Sequence, residues 1–165
     1  VDYIPDGTMN MALIYNRPTG AKVIDVQSEG KISGEKFKSL LTSMISACEA
    51  LKAYNITHRA IRLDNIFYKD SDCSEIVLGD CAASFPAMYQ PDEYESAESL
   101  LCVPQGRGNG TDADDIYAIG VVLLELILQH PIRLNMQTSE LLSAKLKKGS
   151  LLITLIANRA FLKQL

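Results

Sequence analysis

The stretch from Ile56 to Tyr68, ITHRAIRLDNIFY, gathers His58, Arg59, Arg62, Asp64 and Asn65 into one short segment. The planar guanidinium of Arg59 suits a bidentate anion, either an acidic or phosphorylated segment of the chain or a nearby carboxylate such as Glu93 or Glu95. A lone His ahead of an Arg is more often a packed, hydrogen-bonded anchor than an acid or base. Cys48, Cys73, Cys81 and Cys102 are widely spaced, with neither a CxxC nor a Cys/His pairing pattern, which argues against zinc. They read as reduced thiols of a cytoplasmic protein, with Cys48 a core position on a helix. The basic trio Lys145, Lys147 and Lys148 is expected to solvate the end of a helix.

These residues need elements to hold them. At 165 residues, 47% hydrophobic and 22% charged, the chain has the size and composition of one ordinary globular domain. Its net charge of -4 argues against a nucleic-acid or anionic-membrane surface. Residues 1–4 and 11–15 read as the strands of a hairpin around Pro5-Asp6-Gly7, and 21–26 as a short helix. Ser33 is an N-cap with Glu35 in the first turn, followed by Phe37, Leu40, Leu41, Met44, Ile45, Cys48 and Leu51 at helical spacing. That helix leads straight into Thr57-His58. Residues 66–68 and 75–78 are short strand candidates, and 83–110 carries little periodicity. A helix capped at Thr111 or Asp112 runs to about Gln129, apolar nearly all round and too short to span a bilayer. Pro131 ends it, and 139–146 and 151–162 read as two further helices around Gly149. The start at Val1 and the stop inside an apolar helical pattern suggest a piece of a longer protein.

In order and spacing, a long amphipathic helix, HRAIRLDN, a strand pair, Gly79-Asp80, a long loop and DIYAIG before LLEL resemble the large lobe of the protein-kinase family, over roughly residues 11 to 130. HRAIRLDN is similar to the family's H-R-D-L-x-x-x-N catalytic loop, with Ala60 where the family has the Asp that accepts the substrate hydroxyl proton. The resemblance implies that His58 is a packing anchor and that Arg62 stands where the family has a phosphate-touching Lys. It places Asn65 and Asp80 at the metal-ligand positions, and Asp115 where a helix accepts hydrogen bonds from the catalytic-loop backbone. Gly79-Asp80-Cys81-Ala82 resembles the D-F-G segment, and residues 83–110 the activation segment. Val103-Pro104-Gln105 is the nearest match to A-P-E, with Gln105 in place of Glu. The family's glycine-rich loop, V-A-I-K lysine, regulatory-helix Glu and last large-lobe helix have no counterpart among these residues.

The expected fold class is therefore mainly α (α+β), a protein kinase-like C-lobe over residues 1–165 with an N-terminal β-hairpin remnant of the small lobe. Losing a positioned base costs about 10²- to 10⁴-fold in rate. Without a phosphate cradle and with an altered metal-binding segment, the losses fall on one site. The expected function is that of a pseudokinase, a catalytically inactive scaffold, regulatory or protein-interaction module with no cofactor of its own. The alternatives are an active serine/threonine kinase with its small lobe upstream, and a non-catalytic switch binding ATP and Mg²⁺. The expected partner is a protein, an adjacent domain or a second copy, seated where a small lobe would pack; no nucleic acid and no transmembrane segment are expected.

Overall fold

The computed structural model describes residues 2–5, 11–14, 18, 20–27, 32–71, 75–79, 91–101, 110–129, 132 and 136–148. Among them the fold is mainly helical, with five α-helices and two small antiparallel hairpins. Asp2–Pro5 (β1) pairs with Met11–Ile14 (β2), Tyr3 opposite Leu13. Val23–Gln27 (α1) is a short helix, and Gly34–Ala53 (α2) the longest.

Helix α2 starts where its cap chemistry says it should. The Ser33 hydroxyl accepts the Lys36 N–H at 3.3 Å, and Glu35 lies in the positive first turn. Leu40, Met44 and Cys48 are buried, four residues apart, while Ile45, placed on the apolar stripe by the sequence, is 39% exposed. The helix ends in a paired-carbonyl cap. Asn55 takes the left-handed conformation (φ 55°), so that its N–H bonds Lys52 O and the Ile56 N–H bonds Leu51 O. The reversal leaves Ile56 exposed and Thr57 half-buried and delivers His58 into the core.

After a 3-10 turn at Leu63–Asn65, Ile66–Tyr68 (β3) pairs with Ile76–Leu78 (β4), Phe67 opposite Val77. The chain from Gly20 to Lys22 runs along the other edge of β3. The Tyr68 N–H donates to Ala21 O at 2.9 Å, and a β-carbon on Gly20 would stand 2.3 Å from Tyr68 O. Only glycine allows that approach.

Residues 91–101, within the stretch read from sequence as aperiodic, hold a 3-10 turn at Asp92–Tyr94 and a one-turn helix at Ala97–Leu100 (α3). Residues 83–90 and 102–109, with Val103-Pro104-Gln105, lie outside the described residues, as do Asp80 to Ala82, Pro131 and the helix read at 151–162. Asp112–Leu128 (α4) packs against α2, and Thr138–Lys148 (α5) against α3 and the 3-10 turn. Helix α4 buries one face, Asp115, Ala118, Ile119, Val122, Glu125 and Leu126, but leaves Ile116 and Ile127 more than half exposed, so it is not enclosed all round. No helix among the described residues is long and apolar enough to cross a membrane.

Candidate functional site

The segment from His58 to Asn65 is held by hydrogen bonds at all three backbone N–H groups of its first three residues and at the Ala60 carbonyl. The His58 N–H donates to Asp115 Oδ2 at 2.7 Å and the Arg59 N–H to Asp115 Oδ1 at 2.9 Å. One carboxylate, on the first turn of α4, thus receives two consecutive amides. Burial pushes the Asp115 carboxyl above its usual range, against the pull of those two amides and of the His58 and Arg59 side chains. Burial also pushes the neighbouring Cys48 thiol up to about 11, helped by the Asp115 charge, which keeps it protonated.

The His58 ring ties the loop to the strand pair. Its Nδ1 accepts the Ala60 N–H at 3.2 Å, which leaves Nε2 to donate to Gly79 O, also at 3.2 Å. Asn65 closes the other side. Its Nδ2 donates to Ala60 O at 2.8 Å, its carbonyl accepts the Gly79 N–H at 2.7 Å, and its Oδ1 lies 2.1 Å from where a Gly79 β-carbon would stand. Ala60 is buried at 1% exposure, its N–H and carbonyl both engaged and its side chain a methyl group.

Arg59 takes the left-handed conformation (φ 62°), which turns its side chain away from the strand pair into a cluster of carboxylates. Nη2 donates to both oxygens of Glu95, at 3.1 and 3.0 Å, and to Ser99 Oγ at 3.3 Å, while Nη1 pairs with Asp114 at 3.1 Å. Ser99 in turn donates to Glu95 and Ser96 to Asp114. Arg59 and Glu95 are both buried, so neither charge could stay there without the other. Of the two anions open to Arg59 in the sequence, the structure seats a carboxylate, Glu95, and adds Asp114, which the sequence reading did not single out. Burial raises the Asp114 carboxyl, but the Ser96 hydroxyl, Thr111 and Arg59 outweigh it and hold the group below its usual range.

Arg62 points elsewhere and pairs with exposed Asp64 at 3.2 Å. Both line a cavity of about 230 Å³ together with Glu93, Tyr94, Glu125 and Ile132. At its wall the Tyr94 hydroxyl donates to Glu125, which also accepts the Ile132 N–H at 2.6 Å. Burial pushes the phenol of Tyr94 well above its usual value and raises the carboxyl of Glu125.

Two further features escaped the sequence. Ser96 caps α3, its hydroxyl accepting the Ser99 N–H, and a Ser ahead of Ala-Glu was a readable start signal. Lys145 does not solvate the end of a helix with Lys147. It is 4% exposed, and its ammonium sits among backbone carbonyls, because α5 packs that face onto the turn at residues 92–95.

Among the described residues no three His, Cys, Asp or Glu side chains converge as a metal site. Asn65 is present with its amide in the loop network, and Asp80 lies outside those residues. No protein-family model matches the chain. Over 105 residues, 62% of its length, it is 26% identical to the probable serine/threonine-protein kinase PknB of Lactococcus lactis subsp. lactis; the match spans 17% of that protein. The similarity is distant and kinase-like, and it reaches only part of the relative.

Proposed function

We propose that the chain is the large lobe of a kinase-like domain without phosphotransfer activity, a pseudokinase that works as a scaffold, regulatory or protein-interaction module. The observation that carries this reading is Ala60: a buried methyl group occupies the position where the resemblance puts the proton-accepting carboxylate. The surrounding groups support an anchoring role. Asp115, His58 and Asn65 engage the loop backbone, and Arg59 is already neutralised by Glu95 and Asp114. Phosphoryl transfer rests on positioning and electrostatics more than on the base, so the missing carboxylate lowers the rate without forbidding the reaction. The altered Cys81-Ala82 next to Asp80 weighs further against turnover. The test is phosphate transfer from ATP to serine or threonine by the full-length protein, with Asp80→Ala as the control.

The partial likeness to a probable serine/threonine-protein kinase favours a second reading, a weakly active kinase or a nucleotide-binding switch that takes ATP and a divalent cation at Asn65 and Asp80. Thermal-shift titration with ATP, with and without Mg²⁺, separates the switch from a pure interaction module. A ligand at 100-fold its dissociation constant stabilises by about 2.7 kcal/mol.

A further inference from the structure

Lys145 stands on α5, far along the chain from the loop at His58, yet the two are joined through a single residue. Its ammonium donates to the carbonyl oxygens of Asp92 at 2.8 Å, Glu93 at 3.3 Å and Glu95 at 2.5 Å, and lies 4.9 Å from the centre of the Tyr117 ring. These carbonyls belong to the 3-10 turn and the residue that leaves it, and they converge because the turn points them the same way. A cation with three donors satisfies such a cluster where water would leave it half-bonded. Glu95 is held from both ends. Its carbonyl receives Lys145 and its carboxylate receives Arg59, and at 2% exposure it has no room to do one without fixing the other.

We infer that Lys145 is the positioning residue of the Arg59 clamp: by gathering the turn at residues 92–95 it sets the Glu95 carboxylate under the guanidinium, and α5 thereby controls how firmly the loop at 58–65 is held. The linkage does not depend on whether the domain transfers phosphate. Thr138, at the other end of α5, also grips the turn, by donating to the Asp92 carboxylate, but that contact is exposed and reaches Asp92 rather than Glu95. It serves as the matched control.

The experiment is NMR of side-chain proton exchange at the Arg59 guanidinium in the intact protein, with the backbone amides of Met44 and Val122 as monitors of the global fold. In Lys145→Met, which keeps the stem but removes the donors, exchange at Arg59 is expected to accelerate about tenfold or more while the two core amides keep their protection. Thr138→Val is expected to leave Arg59 unchanged. Coupling is reciprocal, so Arg59→Lys is expected to speed exchange of the Lys145 ammonium protons; this variant carries the test if Lys145→Met does not fold. Unchanged Arg59 exchange in Lys145→Met, equal acceleration in Thr138→Val, or unchanged Lys145 exchange in Arg59→Lys overturns the inference.

Discussion

Arg59 lies across Gly110, its Cδ 2.5 Å and its Nη1 2.6 Å from the point where a β-carbon on that glycine would stand. Gly110 also adopts φ 67°, so the position rejects a side chain both for space and for backbone conformation. Gly110→Ala is expected to cost at least about 1–2 kcal/mol and to push Arg59 off its carboxylates. Gly120, on the exposed side of α4 with open space around it, is the contrast: Gly120→Ala is expected to stabilise by about 0.5–1 kcal/mol. Urea denaturation of both variants reads the difference directly.

The two arginines of the loop make opposite demands. Arg59→Met strands Glu95 and Asp114 without their cation, the first of them fully buried, and is expected to destabilise by about 3–5 kcal/mol. Arg62→Ala breaks a half-exposed pair with Asp64 and is expected to stay within about 1 kcal/mol. Equal losses in denaturant midpoint would show that the buried cluster around Arg59 does not hold the loop.

Asp115→Asn tests the double amide bond. The asparagine amide offers one accepting oxygen where the carboxylate offers two, so either the His58 or the Arg59 N–H is left unpaired, at about 1–3 kcal/mol. Hydrogen exchange should speed at one of those two amides ahead of the rest of the domain.

The pH dependence has a sign set by Glu125. Its folded-state pKa is raised, first by burial, above the ordinary glutamate value of about 4.3. Its contribution is therefore full below about pH 4.3 and is lost as pH rises through the folded pKa. Glu125→Gln removes the charge and also one of the two accepting oxygens used by Tyr94 and Ile132, an offset that does not vary with pH, so against that offset it should gain on the wild type as pH rises, by no more than about 1.4 kcal/mol per unit. Asp114 runs the other way, its contribution present at neutral pH and lost on acidification. Paired denaturation curves across the acid range measure both slopes.

Much of this arrangement is legible in the sequence alone. Ser33 and the apolar spacing from Phe37 to Leu51 foretold α2, because caps and a 3.6-residue period are local properties of sequence. The run from Asp112 foretold α4, although its apolar residues suggested burial all round and the structure exposes Ile116 and Ile127. The short turn and one-turn helix between Asp92 and Leu100 were not legible, since elements of three or four residues carry no period and here rest on long-range bonds from Lys145 and Arg59. Lys145 itself was misread for the same reason. Its partners are backbone carbonyls, which sequence never displays. Asp114 hides similarly, as a first-turn helix acid whose second role appears only when Arg59 turns toward it.

Phosphate transfer from ATP to a serine/threonine substrate by the full-length protein, wild type beside Asp80→Ala, tests the central claim most directly. With Ala60 at the base position and the loop serving as an anchor, the expected result is no incorporation above background in either protein. Turnover in the wild type that disappears in Asp80→Ala would contradict it.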